Sequence, residues 1–118
     1  MPTPLWTIRR ETIAAFDQLA REQFVDDMVA RLGVDFPEQR QELMPAGMVR
    51  AVEHGIAAAA EYQVVAAADV ADFLQLWFRS GHNPERRWPW FAKLLENRAL
   101  SPRVRLELVE KSLAAVSS

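Results

Sequence analysis

The chain has 118 residues, half of them hydrophobic and a quarter charged, which fits a single globular domain of common size. It contains no cysteine, so disulfide bonds, thiolate metal sites and cysteine nucleophiles are excluded. The formal net charge of −2 argues against general nucleic-acid binding.

An N-terminal arm, residues 1–8, opens the chain without the basic start and apolar run of a signal peptide. No apolar stretch approaches the roughly 20 residues that a membrane-spanning helix needs. These features predict a cytoplasmic protein that does not contact a membrane. Leu5 and Trp6 are the large apolar residues of the arm, and we expect them to pack back onto the first helix.

Helical periodicity dominates the rest of the chain, and it predicts a first helix from about Arg10 to Leu32. Thr7 is the expected N-cap of this helix. Gly33 is its expected C-terminal stop, because glycine readily adopts the left-handed conformation that ends many helices. Its apolar residues recur every three or four positions and form one core-facing stripe: Ile13, Phe16, Ala20, Phe24, Met28 and Leu32.

Prolines divide the next region into two predicted helices. After a break at Val34–Pro37, a short helix runs from Glu38 to about Leu43, and a longer one runs from Ala46 to about Tyr62. Gly55 lies in the middle of the longer helix and predicts a close crossing with a neighbour. The expected core-facing residues of the longer helix are Met48, Val49, Val52, Ile56 and Ala59.

A connector, Tyr62–Val65, leads to a helix predicted from Ala67 to Arg79, which has the strongest amphipathic pattern of the chain. We expect this helix to be the central one. The turn residues of Ser80–Pro84 end it. Its predicted core face consists of Val70, Phe73, Leu74, Trp77 and Phe78.

The last third is predicted to contain a polar loop, Glu85–Trp88, and a short helix from Pro89 to about Asn97. A final helix runs from Pro102 to about Ala115 with Ser101 as its N-cap, and residues 114–118 are expected to fray. Its expected inward residues are Val104, Leu108, Val109 and Leu113. The fold class is therefore all-α, a compact bundle of five to six helices with short loops, forming one domain over residues 1–118.

The polar residues form no catalytic motif. His54 and His82 are not spaced as metal ligands, no serine lies in a nucleophile elbow, and the four glycines form no phosphate-binding loop. Asp26 and Asp27 point about 100° apart on a helix and cannot act as a dyad. We predict a protein that is not an enzyme and that has no cofactor and no metal site.

One segment, Arg86–Phe91, combines two arginines with three large rings. Arginine and tryptophan are strongly enriched in protein-binding hot spots. The alternative is that Trp90 and Phe91 enter the core while Trp88 covers the loop. The candidate partner-binding residues are Arg79, Arg86, Arg87, Trp88 and Trp90.

Charge is distributed unevenly along the chain. Glu11 to Glu42 contains eight acidic and three basic residues, whereas Arg79 to Arg105 contains seven basic and two acidic residues. This polarity could steer a partner or favour a homo-oligomer, but the preferred interpretation is two oppositely charged, solvated faces of one bundle.

Several segments, taken in order, resemble one known group of proteins, and they are spread from Thr7 to Leu113. They are Thr7–Arg9, Phe24–Leu32 with Phe36 and Pro37, Gly55–Ala57, Tyr62 with Asp69–Leu74, Trp88–Trp90, and Leu100–Pro102 with Arg105 and Leu106. The series resembles small helical accessory proteins encoded with VgrG (spike) and PAAR (spike-tip) components of bacterial type VI secretion systems. Gln63 stands where the resemblance implies a glycine.

The resemblance implies a non-catalytic adaptor or co-chaperone that binds an effector, its chaperone or the VgrG/PAAR spike during loading. An immunity protein is the alternative, in which the acidic residues of Glu11–Glu42 would cover the basic cleft of a toxin. A DNA-binding regulator and a ligand-binding domain remain as further hypotheses. The partner is expected to be a protein rather than a nucleic acid.

Overall fold

A computed structural model describes residues 18–117, and this part of the chain contains six α-helices and no strand. The all-α fold class with five to six helices is therefore confirmed. The predicted N-cap Thr7, the start of the first helix and the expected packing of Leu5, Trp6, Ile13 and Phe16 lie outside the described residues. The helices are α1 (Gln18–Asp35), α2 (Pro37–Glu61), α3 (Ala67–Arg79), α4 (Pro84–Arg87), α5 (Phe91–Leu95) and α6 (Pro102–Ser117).

The end of α1 differs from the prediction that Gly33 stops the helix. The helix continues through Gly33 to Asp35, and only Phe36 leaves the helical region, with φ −130° and ψ 68°. A residue that precedes a proline avoids the α conformation, so Pro37 sets the break. Gly33 is instead a buried helical residue, and a Cβ there would lie 3.0 Å from Cδ of Arg40.

Helix α2 consists of two segments, residues 37–43 and 45–61, separated by Met44. Met44 has φ 61° and ψ 170°, a backbone conformation that is almost restricted to glycine. Pro45 follows it, so the predicted break at this proline is confirmed. Gln63, in the connector after α2, has φ 62°, which is the left-handed conformation that the implied glycine would favour.

Helix α3 has the predicted bounds and is the central helix of the described fold, because it packs against α1, α2, α4 and α6. Its crossing with α2 is close at Gly55. A Cβ at Gly55 would lie 2.4 Å from Cδ2 of Leu74 and 3.2 Å from Cδ1 of Trp77. The close crossing predicted from Gly55 is therefore confirmed. The core residues with no exposed surface on α3 are Val70, Phe73, Leu74 and Phe78.

The C-terminal third differs from the prediction in two places. The predicted loop at Glu85–Trp88 contains helix α4, and α5 begins at Phe91 because residues 89 and 90 form a turn. The cap of α6 is confirmed, since the backbone N–H of Val104 donates to Oγ of Ser101 at 3.3 Å. Helix α6 continues to Ser117, beyond its predicted end.

The buried face of α6 is rotated from the predicted one. Val104 is 38% exposed, and Leu108 is only partly buried. Arg105 and Leu106 are buried in their place, beside the predicted Val109 and Leu113. The rotation places an arginine in the interior, where its hydrogen bonds determine how α6 sits against the rest of the protein.

Candidate protein-binding surfaces

Trp88 is a core residue, which corrects its prediction as a partner-binding residue. Only 9% of its surface is exposed, and its ring stacks on Trp90 with centroids 6.1 Å apart and contacts Phe91 at 6.0 Å. Its backbone N–H donates to the carbonyl of Pro84 at 2.8 Å, so the turn of α4 directs the chain inward at this point. Phe91 is also fully buried.

The other candidates from the sequence remain at or near the surface. Arg79, Arg86 and Arg87 are exposed, and Trp90 is partly buried against the core. The structure therefore presents three arginines with part of one tryptophan ring. These four residues (Arg79, Arg86, Arg87 and Trp90), which we call the arginine surface, are a more polar set than the sequence predicted, because two of the three rings of the segment face inward.

Arg105, counted with the basic residues of the sequence, lies in the interior and is 3% exposed. Its Nη1 donates to the backbone carbonyl of Tyr62 at 2.9 Å and to that of Leu95. Burial lowers the pKa of its guanidinium, and nearby Arg98 adds to this effect. Arg105 thus joins α6 to the connector and to the last turn of α5. Hydrophobic patterning alone does not predict this role.

A hydrogen bond between Tyr62 and Glu85 joins the connector after α2 to α4, close to Arg105. The Tyr62 hydroxyl donates to Oε1 of Glu85 on α4, and its ring contacts Phe73 and Phe91 with centroids 6.3 Å and 6.2 Å away. Burial and the carboxylate of Glu85 raise the pKa of Tyr62. We call the group of Tyr62, Phe73, Trp88, Phe91 and Arg105 the anchored end of the molecule.

A concave surface of a different kind lies between α1 and the first half of α2. This α1–α2 groove has a volume of about 770 Å³ and is largely apolar. Val34 and Met44 lie in its walls and are 77% and 63% exposed, while Met48 in its floor is buried. The lining residues are Asp26, Val29, Ala30, Gly33, Val34, Pro37, Arg40, Gln41, Met44, Pro45 and Met48.

The chain reversal that joins the two walls of the groove is fixed from behind by α3. The ring of Phe36 contacts that of Phe78 with centroids 5.8 Å apart, and Nε2 of Gln39 donates to the carbonyl of Phe78 at 2.7 Å. Nε2 of Gln75 also donates to Oδ2 of Asp35 at 2.9 Å. These contacts join residues 35–40 to α3, so the groove is present before any partner binds.

Acidic side chains outnumber basic ones in the two helix segments that form the groove. Residues 18–43 contain six acidic and three basic side chains, and Asp26 and Arg40 are part of the lining. Asp26, Asp27, Glu38 and Glu42 are exposed, and none of them forms a salt bridge with another described residue. The acidic excess was visible in the sequence, but the apolar groove was not, because Val34 and Met44 fall outside the predicted core stripes.

No group of three or more His, Asp or Glu side chains within residues 18–117 is arranged to hold a metal ion. The described helices include none that is long and apolar enough to cross a membrane. No model of a known protein family matches the chain, and no curated protein or solved structure matches it either. The resemblance to type VI secretion accessory proteins therefore stays a prediction from the quoted residues.

Proposed function

We propose that this chain is a non-catalytic accessory protein that binds another protein through the α1–α2 groove. The observation that carries the proposal is the preformed apolar concavity with Val34 and Met44 exposed in its walls. Contiguous exposed apolar surface on a small domain is typical of an interaction site. A groove between two helices is also a recurring way to bind a helical segment.

The biological setting that we propose is the cytoplasmic loading of a type VI secretion effector or spike. The support for it is the resemblance described above, which implies an adaptor or co-chaperone. The partner would be an effector, its chaperone or a VgrG or PAAR component. The arginine surface offers a second contact region on such a partner, since exposed arginines commonly contribute to binding hot spots.

The test is to express the chain together with the proteins encoded beside it, among which the proposal expects VgrG, PAAR or effector proteins, and to measure each binary affinity by calorimetry. Val34→Lys should weaken the complex by about a hundredfold, because it places a charge in the apolar wall of the groove. Val104→Lys is the matched control, since Val104 is an exposed valine on α6 and does not line the groove. It should change the affinity less than about threefold.

One result would contradict the proposed binding surface, and another would contradict the proposed biological setting. If Arg86→Glu with Arg87→Glu abolishes binding while Val34→Lys does not, the arginine surface is the binding site. If none of the neighbouring proteins binds at micromolar concentration, the type VI setting is wrong.

An immunity protein is the second candidate function, and the acidic surroundings of the groove favour it. The exposed carboxylates of Asp26, Asp27, Glu38 and Glu42 could cover the basic cleft of a nuclease toxin. Expression of the chain should then protect cells against a neighbouring toxin, and the purified protein should inhibit the toxin domain. Absence of protection from every neighbouring toxin would reject this candidate.

A further inference from the structure

The walls of the α1–α2 groove have helical spacing. On α1 the lining residues run from Asp26 to Val34, two turns or about 12 Å. On α2 they run from Pro37 to Met48, and the part before the break at Met44 has a similar length. Two walls of this length match the exposed ridge of a third helix of two to three turns. Such a helix presents apolar residues at positions i, i+3, i+4 and i+7.

The charge around the groove indicates which charged residues a bound helix would have beside its apolar ridge. Asp26 and Arg40 line the groove, and the exposed carboxylates of Asp27, Glu38 and Glu42 lie on the same segments of α1 and α2. Over residues 18–43, acidic side chains outnumber basic ones six to three. The exposed carboxylates of Asp27, Glu38 and Glu42 have no ion-pair partner in the described part of the chain. Lysine or arginine beside the apolar ridge of a bound helix would complement them, whereas glutamate there would be repelled.

Met44 is a groove residue with an unusual backbone conformation. Its backbone conformation, φ 61° and ψ 170°, is unfavourable for a residue with a side chain and persists only where the surrounding structure imposes it. The conformation leaves a flexible thioether side chain 63% exposed in the wall of the groove. Methionine adapts well to varied apolar surfaces, which suits a contact residue.

We infer that the α1–α2 groove binds an amphipathic helix of the partner, with an apolar ridge that enters the groove and basic residues on its flanks. Met44 and Val34 contact the ridge, and Asp26 and Asp27 orient the helix through its basic flank. The inference rests on the proposed protein-binding function and specifies the chemistry of the partner.

The probe is a fluorescein-labelled helical peptide of about 18 residues, with leucines at i, i+3, i+4 and i+7 and lysines beside them. Two control peptides have glutamate in place of lysine, or the same composition with the leucines scrambled. Fluorescence anisotropy with the full chain should show binding of the basic amphipathic peptide. Both control peptides should bind at least about tenfold more weakly.

Variants of the protein identify the groove as the binding site. Val34→Lys and Met44→Lys should each weaken peptide binding by at least about tenfold, whereas Val104→Lys should leave it within about twofold. Asp26→Asn with Asp27→Asn should weaken binding about threefold or more and reduce its salt dependence. The matched control is Glu107→Gln with Glu110→Gln, which removes two exposed carboxylates from α6 and should change neither quantity.

Several outcomes would overturn the inference. Equal binding of the lysine and glutamate peptides would remove the basic partner, and unchanged binding by Val34→Lys would remove the groove. A dimer in sedimentation that Val34→Lys dissociates would assign the groove to a second copy of the chain. Peptide binding that appears only in Leu5→Ser with Trp6→Ser would assign it to the chain's own N-terminal arm.

Failure of this inference can be distinguished from failure of the proposed function. If a neighbouring protein binds and Val34→Lys abolishes that complex, but the basic peptide does not bind, the groove is a binding site for a partner of different chemistry. If neither a neighbouring protein nor the peptide depends on Val34, both the function and the inference are rejected.

Discussion

The anchored end and the α1–α2 groove differ in which of their groups are buried and bonded and which are exposed. In the anchored end, rings contact one another and Arg105 donates to two backbone carbonyls from different elements. In the groove, Val34 and Met44 are exposed, and four carboxylates nearby have no ion pair with another described residue. The anchored end bonds its buried polar groups to other parts of the chain, except for Nε of Arg105, which has no hydrogen-bond partner within residues 18–117. The groove leaves apolar and charged groups exposed.

The difference separates the contacts that stabilise this small bundle from the surface that we propose for binding. Buried polar groups that are hydrogen-bonded rigidify a core, and their loss is costly. Exposed apolar groups in a preformed concavity contribute little to folding and are free to contact a partner. Substitutions in the anchored end should therefore lower the free energy of unfolding, whereas substitutions in the groove should mainly lower affinity.

The largest expected loss of stability comes from Arg105→Ala. The substitution removes charge-assisted hydrogen bonds to the carbonyls of Tyr62 and Leu95, so the free energy of unfolding should fall by about 3 kcal/mol. Urea denaturation followed by tryptophan fluorescence measures the loss. Arg103→Ala is the control, because its salt bridges to Asp69 and Asp72 are partly exposed, and it should lose less than about 1 kcal/mol. Equal losses would mean that the burial of Arg105 adds nothing to the free energy of unfolding.

Two glycine substitutions, one at each close helix contact, should change the free energy of unfolding in opposite directions. Gly55→Ala should lower the free energy of unfolding by about 2 kcal/mol, because its Cβ would lie 2.4 Å from Leu74 at the α2–α3 crossing. Gly33→Ala should raise it by up to about 1 kcal/mol, since alanine favours a helix and the side chain of Arg40 can shift. Thermal unfolding measures the stability of both variants. If Gly55→Ala is also stabilised, the close crossing of α2 and α3 is contradicted.

The sequence predicted those parts of the fold that local chemistry determines. The bounds of α3 follow from one amphipathic stripe and the turn residues after Arg79, and the breaks at Phe36 and Met44 follow from the prolines. Gly33 misled the prediction of the end of α1, because proline four residues later has the stronger effect and the glycine is used for close packing against Arg40.

The candidate site was less predictable, because it depends on how helices are placed relative to one another. Trp88 was assigned to a surface although the turn of α4 directs its ring into the core. The burial of Arg105 requires carbonyls from two other elements to converge on it, which no pattern within α6 indicates. The groove likewise results from the angle between α1 and α2 at Phe36, whereas the acidic excess around it was readable from composition.

Met44→Gly should separate stability from binding within the groove. Glycine relieves a strained conformation, so the free energy of unfolding should rise by about 1 kcal/mol after the entropy cost of glycine in the unfolded chain. Loss of the side chain should weaken peptide binding by about tenfold. Met44→Ala is the control, because it loses the side chain and keeps the strain, so it should reduce affinity without the gain in stability. A destabilised Met44→Gly would mean that the side chain contributes to folding.

The smallest expected effect concerns the edge of the anchored end, where Tyr62 donates to the exposed Glu85. Tyr62 is the one tyrosine of the chain, so the phenolate absorbance near 295 nm reports its pKa alone. Burial and then the hydrogen bond to Glu85 raise this pKa above the ordinary value of 10.0. The titration midpoint should therefore lie above that value. Glu85→Gln, which removes the carboxylate charge, should move the midpoint towards it.

The same shift predicts how stability depends on pH. The pKa of Tyr62 is higher in the folded protein than in the unfolded chain. The contribution of Tyr62 to the free energy of unfolding is therefore fully present below pH 10 and decreases as pH rises through the folded-state pKa. Tyr62→Phe should remove this part of the alkaline decrease and leave unfolding near pH 7 changed only slightly, since Glu85 is exposed. An ordinary midpoint in the native protein would show that Tyr62 is freely solvated, and this part of the anchored end would then resemble the open surface of the groove.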